Sequence, residues 1–250
     1  MLIVAYHAIG EQVSPVCTSP RRLERGLLAL REAGYRYVTL DECADWLRSR
    51  VPMPSDAVAV TFDDAYQSVL EHAVPILRRV GAPATVFAIA DRLGRDNAWP
   101  GQWNGVPRLP LLSSAGLREL VEHGLTIGSH GLTHRSLTTM SRDELEREIV
   151  ESADALEQHV GVEVRHFAYP YGHRTPAARA VAAARYRTAV SVRCRRVSET
   201  DDPHDLPRID AHDLEVAVAL GLVGSAALSP YLAVRRAGRA VRRRWERRTP

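Results

Sequence analysis

The sequence predicts a single α/β domain folded as a distorted (β/α) barrel of about seven units. Three observations predict it. Short apolar, β-branched runs alternate with segments of helical period along almost the whole chain, and such regular succession implies a mostly parallel sheet. No Pro/Gly/Ser-rich linker interrupts the 250 residues, so one domain is the reading. The most polar, chemistry-bearing clusters each fall just after a predicted strand, where barrel enzymes build their sites.

In chain order, Leu2–Tyr6 reads as the first strand. Arg21–Glu32 reads as a helix with Leu23, Leu27, Leu28 and Leu30 at helical spacing, ended by Gly34. Tyr37–Leu40 reads as a short strand, and Asp41 as the cap of a helix running through Trp46. Ala57–Phe62 is a strand leading directly into Asp63 and Asp64. The helix Ser68–Val80 closes at Gly81, and the strand Thr85–Ala90 follows. Ser113 or Ser114 caps Ala115–Glu122, and Leu125–Ile127 is the next strand. Ser141 and Glu144 form a capping box opening a long amphipathic helix, Arg142–Val160. Arg165–Tyr169, Pro176–Ala184 and Thr188–Val192 continue the alternation. The stretch Asp91–Leu112 is long for a βα loop, and its Trp99 and Trp103 read either as a substrate wall or as rim packing.

Composition narrows the function classes. The hydrophobic fraction of 45% and charged fraction of 25% are those of an ordinary globular protein with a sizeable core. The net charge of +3 is concentrated in residues 235–250, with eight Arg and one Glu, which leaves the rest of the chain slightly acidic. The body is therefore no basic platform, and no nucleic-acid partner is expected. The division read from this pattern is a catalytic domain over residues 1–234 and an Arg-rich tail over 235–250. The tail reads as a helix with Val234, Ala237, Val241 and Trp245 as a modest apolar stripe. It is either a solvated terminus or a peripheral contact with anionic membrane. The N-terminus lacks the basic and apolar regions of a secretory leader, so a cytoplasmic location is expected, peripheral to the inner membrane face if the tail binds lipid. Cys17, Cys43 and Cys194 are widely spaced and form no CxxC pair, which indicates neither a disulfide framework nor a cysteine metal site.

Three segments carry chemistry. In Thr61-Phe-Asp63-Asp64 the two carboxylates end a strand, and one can bind a cation while its neighbour faces elsewhere. An Asp pair also caps helices, and the two readings stand level. In Gly128-Ser-His130-Gly-Leu-Thr-His134 two imidazoles four residues apart can converge on one metal, and with a carboxylate they form a ligand set typical of catalytic zinc. In Phe167-Ala-Tyr169-Pro170-Tyr171-Gly172 a strand enters a tight turn, which taken alone reads as an aromatic strand end with a Pro-Gly turn, although the Tyr171 N–H could serve as an oxyanion donor.

These three motifs, in this order and spacing, resemble the polysaccharide deacetylase (NodB-homology) family. The opening Val4-Ala-Tyr-His7 and the motif order resemble its poly-N-acetylglucosamine deacetylase-like branch. The resemblance spans residues 4 to about 210. It implies a distorted barrel and hydrolysis of an N-acetyl group on a sugar or glycoconjugate. It also implies a divalent metal (zinc foremost) on Asp64, His130 and His134, with Asp63 as general base. His7 is the expected general acid, with His173 and His212 behind it. Tyr169, Pro170, Trp99, Trp103 and Arg208 are the expected substrate-binding residues. Two departures stand out. Ala168 lies near where the family carries an Arg that tethers the base, and Arg208 could substitute. Gly131 replaces the usual Ser or Thr after the first His. Two competing readings stay open: a hydrolase of a non-sugar amide or O-acetyl ester, and a catalytically silent carbohydrate-binding protein.

Overall fold

The computed structural model describes residues 1–49, 51–102 and 105–246, with side chains through residue 239. Ten strands and nine helices alternate along it. The strands are β1 (Leu2–Tyr6), β2 (Ala8–Ile9), β3 (Cys17–Thr18), β4 (Arg36–Tyr37), β5 (Ala57–Phe62), β6 (Ala84–Ala88), β7 (Thr126–Ser129), β8 (His166–Ala168), β9 (Thr188–Val190) and β10 (Ile209–Asp210). The helices are α1 (Pro20–Glu32), α2 (Leu40–Ser49), α3 (Val74–Val80), α4 (Ser114–Glu122), α5 (Arg142–Glu146), α6 (Ser152–Val160), α7 (Pro176–Arg185), α8 (Ala211–Ala219) and α9 (Leu228–Glu246).

The main sheet is parallel throughout, in the order β10-β1-β5-β6-β7-β8-β9, with β4 pairing the start of β5. Its two ends meet through one stretch of chain. Leu206 bridges Val190 of β9, and three residues later Ile209 pairs with Val4 of β1. This thin seam closes the predicted barrel.

Strand alternation separates two cores. Outward-facing Leu2, Val4, Val58, Val60, Val86 and Ile127 pack under the helices with Leu23, Leu27 and Leu120. Inward-facing Ile3, Ala59, Phe87, Ala168, Val190 and Leu206 fill the barrel together with Leu40 and Cys43 of α2. Helix α2 thus plugs the N-terminal mouth. Small inward residues on several strands leave the room for it.

Local chemistry explains most element ends. Ser19 caps α1 by accepting from Arg22 N, with Pro20 at the first helical position, where its missing N–H costs nothing. The capping box of Ser141 and Glu144 forms as the sequence implies. The cap of α2 does not fall on Asp41. Thr39 takes it, because Thr39 and Glu42 exchange hydrogen bonds between side chains and backbone N–H groups. The expected strand Tyr37–Leu40 accordingly shortens to Arg36–Tyr37.

Two expected helices carry π-turns, Val69–Ala73 before α3 and Arg147–Glu151 between α5 and α6. The first abuts Pro75, whose ring nitrogen cannot donate to the preceding turn. The boundary expected between residues 234 and 235 falls inside α9. Arg235 and Arg239 both reach the fully buried Asp213 of α8, so this part of the tail is docked on the domain. Val241 and Trp245 of the expected apolar stripe lie outside the described side chains. No helix among the described residues is long and apolar enough to cross a membrane.

Candidate active site

The C-terminal ends of the strands bring the predicted residues together. His7 follows β1, Asp63 and Asp64 follow β5, His130 follows β7 and Tyr171 follows β8, while Arg208 enters just ahead of β10. Among the described residues, four non-glycine positions have positive φ: Asp64 (69°), Ala65 (55°), His134 (63°) and Tyr171 (58°). All four lie in the predicted motifs or directly beside one. Left-handed backbone is costly for side chains with a Cβ, and it persists where surrounding structure over-determines it. The fold holds its polar groups in place at the expense of local strain.

Asp64, His130 and His134 converge. Asp64 Oδ1 lies 3.5 Å from His130 Nε2 and 3.4 Å from His134 Nε2. Ligand atoms bound to one cation at about 2.0–2.1 Å in tetrahedral geometry stand about 3.3 Å apart, so the spacing fits a small divalent metal. The chemistry of the donors agrees. His130 Nδ1 lies 2.7 Å from the Ala168 carbonyl, a contact that places the proton on Nδ1 and leaves the Nε2 lone pair facing the cluster. Burial depresses the His134 pKa well below the usual imidazole range, which keeps that ring a neutral donor. Asp64 Oδ1 is buried with no hydrogen-bond donor among the described residues, and burial raises its carboxyl. A cation would supply what this oxygen lacks.

Asp63 stands in the opposite electrostatic situation. Burial alone would raise its carboxyl, but the Arg208 guanidinium and the neighbouring imidazoles hold it far below the usual carboxylate range. Arg208 grips it with both terminal nitrogens at 2.7 Å and also donates to Thr61 Oγ1 and the Ser191 carbonyl. The guanidinium lies 5.7 Å over the Phe87 ring inside the barrel and is 1% exposed. Arg208 therefore takes the tethering place open at Ala168, and its expected contact with substrate is corrected: it has no face toward solvent. His7 Nε2 lies 4.0 Å from Asp63 Oδ2, and its side chain is 29% exposed, the most accessible polar group at the centre.

Tyr169 is also corrected. It is fully buried in the helix-facing core, with its hydroxyl donating to the His204 carbonyl, because strand parity turns it away from the site. Pro170 is buried beside the His-bearing loop. Trp99 and Tyr171 do reach the centre, with ring centroids 4.3 and 4.7 Å from that of His134. Burial pushes the Tyr171 phenol up to about 12. Trp103 lies outside the described residues. His173 sits on the rim, with Nδ1 3.0 Å from Ser136 Oγ, and His212 is exposed in the first turn of α8.

Several supporting residues escaped the sequence reading. Glu148, in the second π-turn, accepts from Thr133 N and Thr133 Oγ1 through one oxygen, and so ties down the loop between the two histidines. Gly131 belongs to the same device. Its φ is 86°, and a Cβ there would sit 3.4 Å from Glu148 Oε1, so glycine stands where the family has a hydroxyl residue. The Tyr66 hydroxyl bonds Asp64 and accepts from the buried Asn97 amide. Asn97 also pins the long loop by accepting from Leu109 N and donating to the Pro107 carbonyl. The loop zips back onto the residues after Asp64 through Gln67 N to Pro110 O and Leu112 N to Ala65 O. It forms a wall built around Trp99.

Comparison with known proteins agrees with this geometry. The polysaccharide deacetylase family model matches residues 50–189. The poly-beta-1,6-N-acetyl-D-glucosamine N-deacetylase of Staphylococcus aureus (strain MRSA252) is 23% identical over 178 residues, covering 68% of this chain and 58% of its own length. The chain thus spans just over half the length of the curated relatives it matches. IcaB from Ammonifex degensii superposes with a TM-score of 0.75 at 28% identity, covering 88% of this chain and 96% of that one. The Streptococcus pyogenes deacetylase PplD shares the fold, with a TM-score of 0.72 at 23% identity over 84% of this chain and 91% of that one. With more than half of its length matched and the motif residues gathered at one barrel end, the chain belongs to the polysaccharide deacetylase family.

Proposed function

We propose that the protein is a metal-dependent hydrolase that removes N-acetyl groups from a sugar or glycoconjugate. The observation that carries the proposal is the pairing of one carboxylate held ionised, Asp63, with an adjacent Asp64–His130–His134 cluster one charge short of satisfied. A divalent cation on that cluster, zinc by its two-imidazole, one-carboxylate donor set, supplies Lewis acidity toward the acyl oxygen and the attacking water. Asp63 takes the proton of that water, and Arg208 keeps the carboxylate aimed and charged while it does so. The Tyr171 N–H donates to the oxyanion that develops as the carbonyl carbon becomes tetrahedral. His7 delivers a proton to the departing amine, a role that its partial exposure beside Asp63 supports. The products are acetate and the free amino sugar.

A small substrate is favoured at the reacting end. His130 and His134 are only 3% and 5% exposed under Trp99 and Tyr171. That supports attack on a terminal or single sugar ring, and it keeps a compact non-sugar amide or O-acetyl ester as the second reading. The proposal also places the protein in the cytoplasm with its Arg-rich tail against anionic lipid, which fractionation of cells before and after a high-salt wash tests.

Acetate release from N-acetylglucosamine and its short oligomers, wild type against Asp63→Ala, tests the activity. Release by the wild type and its loss by at least three orders of magnitude in the variant are expected. Equal release by both proteins contradicts the role of Asp63. Metal uptake without acetate release from any sugar favours the second reading.

A further inference from the structure

A second feature of the long loop lies outside the machinery described so far. Arg92, Gly94, Arg95, Asp96, Arg108 and Leu109 line a hollow of about 570 Å³ on the flank of the loop that carries Trp99. The two places are linked. Arg92 Nη1 donates to the carbonyl of Ala98, and the next residue, Trp99, rests on His134.

The charges around this hollow are unbalanced. Arg108 pairs with Asp96 at 3.4 Å, while Asp96 also accepts from the Ala98 N–H. Arg92 and Arg95 have no acidic partner among the described residues. Several partly buried arginines elsewhere in the chain are matched, Arg174 with Asp205, Arg185 with Glu157, Arg187 with Asp41 and Arg195 with Asp201, whereas Arg92 is partly buried and unmatched and Arg95 is exposed. Three guanidinium groups line the hollow, two of them without an acidic partner among the described residues, and they suit a multiply charged oxyanion because each planar fork can hold two oxygens. The volume is generous for a lone carboxylate and accommodates a phosphoryl group with part of what it is attached to.

We infer that this hollow binds a phosphoryl group carried by the substrate, so that a phosphorylated N-acetyl sugar spans the loop from Arg95 and Arg108 to Asp63 and His134. The inference rests on the deacetylase reading of the neighbouring site and names its substrate class. The phosphate could belong to a soluble sugar phosphate or to a lipid-linked one. Either presents the same oxygens.

Calorimetric titration of the 250-residue chain with pyrophosphate tests the site without turnover. The double variant Arg95→Ser/Arg108→Ser is expected to weaken binding at least tenfold, and Asp64→Asn to change it less than twofold. No binding by the wild type overturns the inference. So does the reverse pattern, in which Asp64→Asn abolishes binding and the arginine variant keeps it, because the anion then sits on the metal ligands. A kinetic arm compares N-acetylglucosamine 1-phosphate with N-acetylglucosamine. The wild type is expected to favour the phosphorylated sugar in kcat/KM, and the double variant to lose at least tenfold of that advantage. An advantage undiminished in the variant overturns the inference. Should neither sugar release acetate while pyrophosphate still binds through Arg95 and Arg108, the deacetylase reading fails and the phosphate site stands. Sedimentation with phosphatidic acid vesicles, with and without pyrophosphate as competitor, then assigns the source. Retention displaced by pyrophosphate marks a lipid-linked phosphate, and no retention marks a soluble one.

Discussion

The two ends of the barrel treat buried charge in opposite ways. At the N-terminal mouth, Asp41 on the plugging helix α2 meets Arg165 and His166 at the start of β8 and Arg187 just before β9. Arg187 also reaches Asp45. The approach of His166 Nε2, with the two arginines, holds the Asp41 carboxyl at about 2. At the C-terminal end, Asp64 Oδ1 lies against two imidazole nitrogens, and burial raises its carboxyl. The four left-handed non-glycine residues gather there too. The Asp41 charge is neutralised within the fold, and the Asp64 charge is left one partner short. The same chain does both because the strands end in different company: arginines at their starts, motif carboxylates and histidines at their tips.

This contrast can be broken by substitution, and the largest effect is expected at the tether between the two regimes. Arg208→Met leaves Asp63 buried without its cation, and such a loss costs about 3 kcal/mol of stability, read from chemical denaturation. Burial then raises the Asp63 carboxyl instead of being overruled. The group must be ionised to accept a proton, so the acid limb of kcat/KM is expected to move to higher pH in this variant. An unmoved limb would show that Arg208 only fills space.

Glu148→Gln is expected to weaken metal affinity by about tenfold to a hundredfold, since it loosens the loop between His130 and His134 without touching either ligand. Equilibrium competition with a chelating dye measures it. An affinity equal to wild type would remove Glu148 from the site's support.

The smallest effect is expected at the opposite end. Asp41→Asn is expected to cost about 1 kcal/mol at neutral pH, once its 21% exposure to solvent is allowed for, with acetate release unchanged. The sign follows from the depressed carboxyl. Its contribution is complete above the ordinary aspartate range near pH 4, and it fades as pH falls through about 2. Denaturation midpoints of the two proteins should therefore converge toward acid pH, and a constant gap would assign the loss to packing.

What the sequence revealed depended on distance along the chain. Asp63 with Asp64, and His130 with His134, are contiguous motifs whose spacing carries their chemistry, and the fold brings them to one place. Thr39 was equally local, since Thr-Leu-Asp-Glu42 is a capping box, but Asp41 beside it drew the reading. Tyr169 was drawn into the site by standing between motif residues, where strand parity turns it into the core. Glu148 and Asn97 have no local pattern at all. Each acts across a turn that exists only once the barrel has formed, 15 residues from Thr133 and 31 from Tyr66. The seam at Leu206 and Ile209 was invisible for a related reason, because a two-residue strand has no period to detect.

The central claim is that Asp64, His130 and His134 form a site completed by a cation. Equilibrium dialysis of the purified protein against Zn²⁺, followed by elemental analysis, tests it most directly. One ion per chain is predicted, with occupancy lost in Asp64→Asn and in His134→Ala and retained in Asp63→Ala. No uptake by the wild type, or occupancy indifferent to Asp64 and His134, would contradict the account.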